Sequence, residues 1–350
     1  MKKFSFFLNC AATALFAVAL TACSDVKDNP TSNPIVEAIG NGASINDLIA
    51  GFAVNNTLTL PAGVEITIDE PVNLETPLAI VSDKKNPAKI TANAGFVTNS
   101  NISFKGVEID AANLKTPFIQ LANVTLVGDE KAKAIDEIAF IDSKISNLKY
   151  QFIYANKQAY LVDFINVLRS IIAIDGTNNK TIFDFNGGGN VHFLGVDEST
   201  IYANPTNGLN GGFFSSQSGK EVTDLGGDKW FICITKSTLY NITNGKTVNT
   251  LRKNSQTYQK YIVKSNVVVD CGKSDQFLTG LNAGQAGKDT NWDVDGNCIN
   301  FGGKVAAQKK IGSADANIKN SIDAVVAFAD AANGDFTQSN VKAGDPRWIK

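Results

Sequence analysis

The chain has 350 residues, 43% of them hydrophobic and 19% charged, which is enough apolar mass for a large buried core. Its 32 basic and 34 acidic residues give a net charge of −2, and loss of Lys2 and Lys3 with a leader would leave 30 against 34, or −4. This balance argues against a nucleic-acid partner, because there is no basic excess to neutralise phosphates.

The first 22 residues predict a signal peptide. Lys2 and Lys3 precede an almost wholly apolar run, 4–20, which is typical of a secretory leader. The run ends in Leu20-Thr-Ala-Cys23, which resembles the lipobox of bacterial lipoproteins and implies cleavage before Cys23 and lipidation of its thiol. Residues 24–28 resemble the surface-export signals of Bacteroidetes lipoproteins. We therefore expect an outer-membrane lipoprotein held by its lipid, with the side of the membrane left open.

Residues 23–38 predict a flexible tether, because they are polar and contain two prolines, and 39–350 predict one continuous domain. Ser44 is followed three residues later by Asp47, a pattern close to a capping box. A short amphipathic helix should follow, which we expect to cover the open first coil of the domain. Its apolar residues recur at helical spacing: Ile45, Leu48, Ile49 and Phe52.

One spacing pattern recurs along the middle of the chain. An apolar residue lies five positions before a serine, another lies three before it, and a third lies two after it. The copies are Ile138-Phe140-Ser143-Ile145, Ile165-Val167-Ser170-Ile172, Leu194-Val196-Ser199-Ile201 and Ile232-Ile234-Ser237-Leu239. An earlier copy has Val107 in the serine position, and a later one has Ser265 there, with Lys260 where the first apolar residue belongs. These positions are 36, 27, 29, 38 and 28 residues apart, which is typical of a solenoid.

Each copy predicts two short strands around a corner. Residues two apart alternate between faces, and the three-residue step before the serine breaks that period. A serine stacked at the same corner in every coil can satisfy its hydroxyl along the stack, as a buried polar group requires. The alternative is a β-sandwich with irregularly spaced strands. We favour an all-β fold, a single-stranded parallel β-helix with a short N-terminal capping helix, because the same offsets return so often.

The first coils and the C-terminal tail each carry a family resemblance. Leu58-Thr-Leu60-Pro-Ala-Gly63, followed by alternating apolar residues, resembles the first coil of pectate-lyase-like right-handed parallel β-helices. The ending Ala343-Gly-Asp-Pro-Arg-Trp348 resembles that of an uncharacterised family of Bacteroidetes lipoproteins with this fold. The resemblance implies a right-handed helix and a place among envelope proteins often linked to polysaccharide use. It supplies no catalytic residues.

Two later segments are candidate binding regions. The longest insertion, 204–228, is rich in Gly, Asn and Ser, and long solenoid loops often gather on a binding face; a loop without a binding role is the equal alternative. Farther on, Asp289, Asp293 and Asp295 form the densest acidic segment, which would suit Ca²⁺, although a turn without metal is the favoured interpretation. Trp230 and Trp292 are candidates for stacking on a sugar, with end-cap packing as the alternative. Apart from Ca²⁺, no cofactor is predicted.

The cysteines and the C-terminal region leave alternatives open. Cys233, Cys271 and Cys298 remain after lipidation of Cys23, so the three thiols cannot all pair. A Cys271–Cys298 bridge and buried free thiols are both compatible with the sequence. Residues 321–328 predict a C-terminal helix or turn.

Catalytic residues are not predicted. Arg169, Lys236 and Lys264 lie beside the corner serines and would be the bases of a polysaccharide lyase, but no acidic cluster is evident near them. Paired carboxylates of the kind that glycoside hydrolases use are not evident on any copy. His192, the one histidine, has no obvious partner.

These observations favour a non-catalytic, envelope-anchored lipoprotein. It would bind polysaccharide or scaffold a surface glycan-utilisation complex with outer-membrane protein partners. The alternatives are a divergent polysaccharide lyase or glycoside hydrolase on the same fold, and a protein-binding adhesin.

Overall fold

A computed structural model describes residues 33–203, 212–216, 230–243, 249–251, 258–272, 291–306 and 318–350. Three sheets run along one axis, and in the first seven coils the chain visits them in the same order. The described strands of the later coils belong to the first and second sheets. Neighbouring strands in each sheet pair in parallel, apart from one antiparallel pair at the C-terminal end of the second sheet. The fold is a parallel β-helix, as the spacing of the sequence copies predicts.

The strands are numbered in chain order. Sheet A contains β1 (Thr57–Thr59), β4 (Leu78–Val81), β7 (Ile102–Lys105), β10 (Lys133–Ile141), β13 (Tyr160–Leu168), β16 (Asn190–Asp197), β19 (Trp230–Thr235), β22 (Tyr258–Lys264), β24 (Asn291–Asp295) and β27 (Ile318–Lys319). Sheet B contains β2 (Glu65–Ile68), β5 (Ala88–Ala92), β8 (Val107–Asp110), β11 (Lys144–Leu148), β14 (Ile171–Ile174), β17 (Thr200–Ala203), β20 (Thr238–Tyr240), β23 (Val267–Val269), β25 (Cys298–Phe301) and β26 (Lys304–Val305). Sheet C contains β3 (Val72–Leu74), β6 (Phe96–Thr98), β9 (Ile119–Leu121), β12 (Ile153–Tyr154), β15 (Phe183–Phe185), β18 (Phe214–Ser216) and β21 (Asn249–Leu251).

The core is a column of apolar side chains between the sheets. Period-two alternation sends the apolar residues of each strand inward, as in the buried Ile165 and Val167 of β13. Phenylalanines from successive coils meet along the axis: the rings of Phe118 and Phe152 stack at 5.7 Å, and Phe152 meets Phe183 edge-on at 5.9 Å. Each coil therefore buries its apolar face only against its neighbours, which is how a solenoid is stabilised.

A ladder of buried polar side chains occupies the corner between sheets A and B. Each side-chain oxygen accepts a hydrogen bond from the backbone N–H of the corner residue one coil earlier, over 2.9–3.2 Å. The serine hydroxyls also donate to backbone carbonyls, as Ser170 Oγ does to the Leu168 carbonyl at 2.9 Å. The ladder residues are Ser143, Ser170, Ser199, Ser237, Asn266 and Asn297. The predicted corner hydroxyls are therefore confirmed from Ser143 to Ser237.

The placement of Ser265 in this ladder is wrong by one residue. Strand β22 pairs with β19 so that Tyr261 and Val263 are the inward residues, and Asn266 occupies the corner. Ser265 instead has φ 54°, the left-handed conformation of the residue before each corner. A carboxamide can accept from an N–H and donate to a carbonyl, so Asn266 replaces serine there and Asn297 repeats the arrangement in the next coil.

Val107 ends the ladder for a local reason. The corner N–H of the coil before it belongs to Ala88, which donates to Ser82 Oγ within its own coil at 3.0 Å. No polar side chain is needed at position 107 to satisfy that donor, so a buried valine can fill it.

Two helices cover the first coil. Helices α1 (Pro34–Gly40) and α2 (Ile45–Phe52) are followed directly by β1, and the buried Ile45 and Leu48 join the core. Ser44 and Asp47 form the reciprocal capping box that the sequence predicts, with Ser44 N donating to Asp47 Oδ2 at 2.8 Å. Helix α1 begins inside the range predicted as a tether.

The C-terminal tail, residues 320–350, returns along the outer face of sheet B. Residues 321–328 are extended, so the prediction of a helix or turn there is wrong. Alternate residues are exposed, and Val326 N donates to Asn300 Oδ1 at 2.7 Å. Two 3₁₀ turns follow, Ala331–Asn333 and Pro346–Trp348. Of the predicted long insertion, the described residues 212–216 include strand β18 of sheet C.

Candidate functional site

The outer face of sheet A brings polar and aromatic side chains of successive coils side by side. In the register of β10, β13 and β16, Glu137 pairs with Phe164 and Phe164 with Phe193, while Asn166 pairs with Gly195. Glu137, Asn166, Phe164 and Phe193 are all partly exposed, and we call these four the outer strip. Since strands lie about 4.8 Å apart, the outer strip follows the helix axis at nearly regular steps.

Glu137 is the carboxylate of the outer strip. Its Oε1 accepts a 2.6 Å hydrogen bond from Asn166 Nδ2 on the next strand. Asn101 Oδ1 accepts from the backbone N–H groups of Asp136 and Glu137 at 2.9 and 3.3 Å, which fixes the strand where Glu137 projects. Burial raises the pKa of Glu137, and the hydrogen bond from Asn166 partly offsets the rise.

Phe193 lies across the backbone of Gly195. A Cβ added at Gly195 would be 2.5 Å from Phe193 Cε1 and 3.3 Å from Asn166 Oδ1, so the ring and the amide share the space above the glycine. The ring centroids of Phe164 and Phe193 are 5.9 Å apart, with their planes inclined at 51°. The missing side chain at Gly195 therefore lets an aromatic ring lie over the sheet surface.

A cleft of about 130 Å³ adjoins the outer strip on the side of the first coils. Its polar lining comes from Asn55, Asn56, Asn101, Ser103 and Glu137. Glu137 belongs to both the cleft and the outer strip. The two form one surface with amide, hydroxyl and carboxylate groups beside aromatic rings, the mixture typical of small-ligand sites.

His192 has an acidic partner on the same face. Its Nδ1 lies 2.6 Å from Oδ1 of Asp163, which is opposite it in the register of β13 and β16. The sequence interpretation that His192 lacks a partner is therefore wrong. Residues 29 apart meet here because one coil separates them, which no local motif reveals.

The three basic residues considered for catalysis are in ion pairs. Arg169 Nε and Nη2 contact the Asp142 carboxylate at 2.7 and 2.9 Å, and Lys236 Nζ lies 3.0 Å from Glu198 Oε1. Lys264 Nζ lies 2.8 Å from Asp293 Oδ2. Each of these bases has its acidic partner one coil away, a contact that the local sequence does not reveal.

Asp142 shows the electrical consequence of this pairing. Burial opposes its ionisation, but the hydrogen bonds and charge of Arg169, with Lys84 and Lys105 nearby, hold the pKa of Asp142 below its ordinary value. Arg169 is thus committed to a structural ion pair at the corner.

The described part of the acidic segment considered for Ca²⁺ is a strand and not a loop. Asp293 and Asp295 lie on β24; Asp293 pairs with Lys264, and Asp295 accepts from Asn320 Nδ2 at 2.9 Å. Asp289 lies outside the described residues. Within the described ranges, no three His, Cys, Asp or Glu side chains are grouped to hold a metal ion.

The two predicted sugar-stacking tryptophans are in sheet A. Trp230 is the first residue of β19, in register with Tyr258, and Trp292 on β24 is in register with the buried Tyr261. Neither residue belongs to the outer strip, and ligand binding by the two stays a prediction.

Cys271 and Cys298 are free and buried, so the bridge considered from the sequence does not form. Cys298 Sγ donates to the Ala324 carbonyl at 3.1 Å, and burial raises the pKa of Cys271 to about 12. Protonated thiols of this kind are inert packing groups.

The outer face of sheet B differs from that of sheet A because the C-terminal tail covers it. Asp345 is fully buried, accepts from Thr200 Oγ1 at 2.7 Å and forms an ion pair with Arg347. Arg347 Nη2 donates to the Ser170 carbonyl at 2.9 Å, and Trp348 Nε1 donates to Thr200 Oγ1 at 2.7 Å. The distinctive Gly-Asp-Pro-Arg-Trp ending is therefore an anchor that attaches the tail to sheet B.

Residues 65–204 match a family described as a domain of unknown function (DUF4957). The matched segment runs from β2 to the end of β17 and contains the whole outer strip. No curated protein matches the chain. None of the helices in the described ranges has the length and hydropathy needed to span a bilayer.

Sequence reasoning missed the outer strip. Phe164 and Phe193 each lie directly before an inward apolar residue, at the same offset from the corner serine, which is a signal that could have been found. The hydrogen bond from Asn166 to Glu137 could not have been predicted from the sequence, because it depends on the register between two strands.

Proposed function

We propose that this protein is an envelope-anchored lipoprotein that binds polysaccharide without cleaving it. The outer strip carries this proposal: on three neighbouring coils of one face it has a carboxylate, an aromatic ring with an amide, and a second aromatic ring, and it continues into a cleft. Sugars present apolar C–H faces to rings and hydroxyls to polar groups, so such a surface suits a glycan. Its axial repetition suits an extended polymer better than a compact metabolite.

The absence of turnover is supported by the pairing of the basic residues. A lyase base must be able to take a proton from the substrate, yet Arg169, Lys236 and Lys264 each contact a carboxylate at 3.0 Å or less. Glu137 is hydrogen-bonded to an amide, whereas a glycosidase of the usual kind needs a second carboxyl group across the scissile bond.

The anchor rests on the sequence alone. Leu20-Thr-Ala-Cys23 after an apolar run supports lipidation at Cys23 and attachment to the outer membrane of a Bacteroidetes-type envelope. Radiolabelled palmitate should enter the full chain and should not enter Cys23→Ala. Equal labelling of both would refute the anchor.

Glycan binding is tested with a carbohydrate array and a reducing-end assay on the same polysaccharides. We expect micromolar or weaker binding to at least one glycan and no release of reducing ends. Turnover that Arg169→Ala or Lys236→Ala abolishes would replace this proposal with the lyase. Binding to none of the glycans would favour a scaffold or adhesin for protein partners.

A further inference from the structure

We propose that the outer strip binds an uncharged glycan and rejects polyuronates, with Phe193 as the stacking platform and Glu137 as the residue that sets this preference. The inference rests on the proposed function and specifies its site and its ligand class. It is based on the charge of the face around the outer strip, the position of the Phe193 ring, and the burial and hydrogen bond of Glu137.

The face around the outer strip carries more carboxylates than amines. Asp163 and Asp136 lie next to Phe164 and Glu137 along their strands, and Asp197 ends β16. Asp163 contacts His192, so Asp136, Glu137 and Asp197 are the carboxylates of this face that lack a histidine partner. Lys105, at the end of β7, and Lys133, at the start of β10, are the nearest lysines on these strands. A polyuronate would bring one carboxylate per sugar to an acidic surface, and like charges in contact disfavour binding.

The Phe193 ring lies close against the backbone of Gly195. Its Cε1 occupies the place of a side chain at Gly195, and the Asn166 amide borders it on the neighbouring strand. A partly exposed ring lying over the sheet offers its negative face to the C–H groups of a pyranose. The amide beside the ring can bond to the hydroxyls at the edge of the same sugar.

Glu137 can accept hydrogen bonds from sugar hydroxyls. Its Oε1 already accepts from Asn166, and because Glu137 lines the cleft, its second oxygen can accept from ligand hydroxyls there. The same carboxylate is unfavourable for a uronate, because burial makes an uncompensated second charge costly. One side chain therefore favours neutral sugars and opposes charged ones.

The test compares oligosaccharides of one length by titration calorimetry: cellohexaose, xylohexaose, mannohexaose and hexagalacturonate. We expect at least one neutral hexamer to bind the intact protein about tenfold more tightly than hexagalacturonate. Glu137→Gln keeps an acceptor for Asn166 and removes the charge, so it should narrow that ratio. An equal or tighter affinity for hexagalacturonate would overturn the inference.

Two further variants locate the ligand. Gly195→Ala keeps Phe193 but displaces its ring, and Phe193→Ala removes the ring; each should weaken binding of the neutral hexamer by about tenfold. The matched control is Gly51→Ala in α2, where a Cβ meets nothing within 4 Å and binding should not change. Because Gly195→Ala risks misfolding, its melting curve is compared with that of the intact protein, and Phe193→Ala gives an independent reading.

The outcomes separate the two proposals. If a neutral hexamer binds but neither Phe193→Ala nor Glu137→Gln changes its affinity or its preference over hexagalacturonate, the outer strip is not the site and the proposed function stands. If no probe binds and the glycan array is also blank, both proposals fall.

Discussion

Sheets A and B have the same construction and the same buried interior, yet their outer faces differ. On sheet B the tail contributes Val341 and Ala343, which pack with Val267 and Cys298 into a second small core outside the β-helix. On sheet A the coils from β10 to β16 keep partly exposed phenylalanines and a hydrogen-bonded carboxylate. Outward apolar residues on sheet B are covered by the tail and contribute to stability. The face of sheet A keeps its aromatic rings accessible and is therefore the better candidate for binding.

The largest effect should come from removing the anchor of the tail. Asp345→Ala leaves Arg347 without its carboxylate and Thr200 without its acceptor, and we expect unfolding to become easier by about 2–4 kcal/mol. Thermal melting and protease sensitivity of the tail measure this change. Asp323→Ala, at an exposed position of the same tail, is the control and should have almost no effect.

That result would also test the comparison itself. If the tail is a structural cover, glycan binding at sheet A should survive in Asp345→Ala at temperatures below its lowered melting point. A variant that melts normally would mean that the tail contributes little and that the face of sheet B is open to partners.

An intermediate effect is expected at the corner shared by the two sheets. Ser170→Ala removes the acceptor of the Ser143 N–H and leaves that buried donor unsatisfied, which should cost about 1–3 kcal/mol. Denaturant titration measures the loss, and Ser146→Ala, partly exposed on β11, is the matched control. Equal stability of the two variants would contradict a structural role for the ladder.

The sequence predicts the coil because its signal is local and repeated. The offsets around Ser143, Ser170, Ser199 and Ser237 fix which residues point inward, and the capping box at Ser44 fixes the start of α2. Ser265 was placed one residue from the true corner because the repeated pattern contains serine, whereas the corner needs only a side chain that both accepts and donates. Asn266 does both.

The candidate site is less accessible to sequence reasoning because its contacts join coils. The partners of Glu137, His192 and Arg169 lie 29, 29 and 27 residues away, and these separations change whenever a loop lengthens. Outward positions also have no requirement for apolar residues, so neither periodicity nor composition marks them. The path of the tail over sheet B depends on interlocking contacts such as Trp348 with Thr200, 148 residues apart.

The smallest effect concerns the charge of Glu137 and sharpens the contrast between the faces. Burial raises the pKa of this carboxyl, so between its unfolded and folded pKa values the folded chain binds more protons than the unfolded chain. The stability that Glu137 contributes is present at pH values below its unfolded pKa and is lost as the pH rises through its folded pKa. Glu137→Gln removes this titration and keeps the Asn166 hydrogen bond, so the variant should gain stability relative to the intact protein as the pH rises from about 4 to 7.

Denaturant midpoints of both proteins across that pH range measure the difference. If the difference in denaturant midpoint between Glu137→Gln and the intact protein stays constant or decreases as the pH rises, burial does not destabilise the ionised form of Glu137. In that case its second oxygen would be hydrated rather than reserved for a ligand, and the case for sheet A as the binding face would rest on its aromatic rings alone.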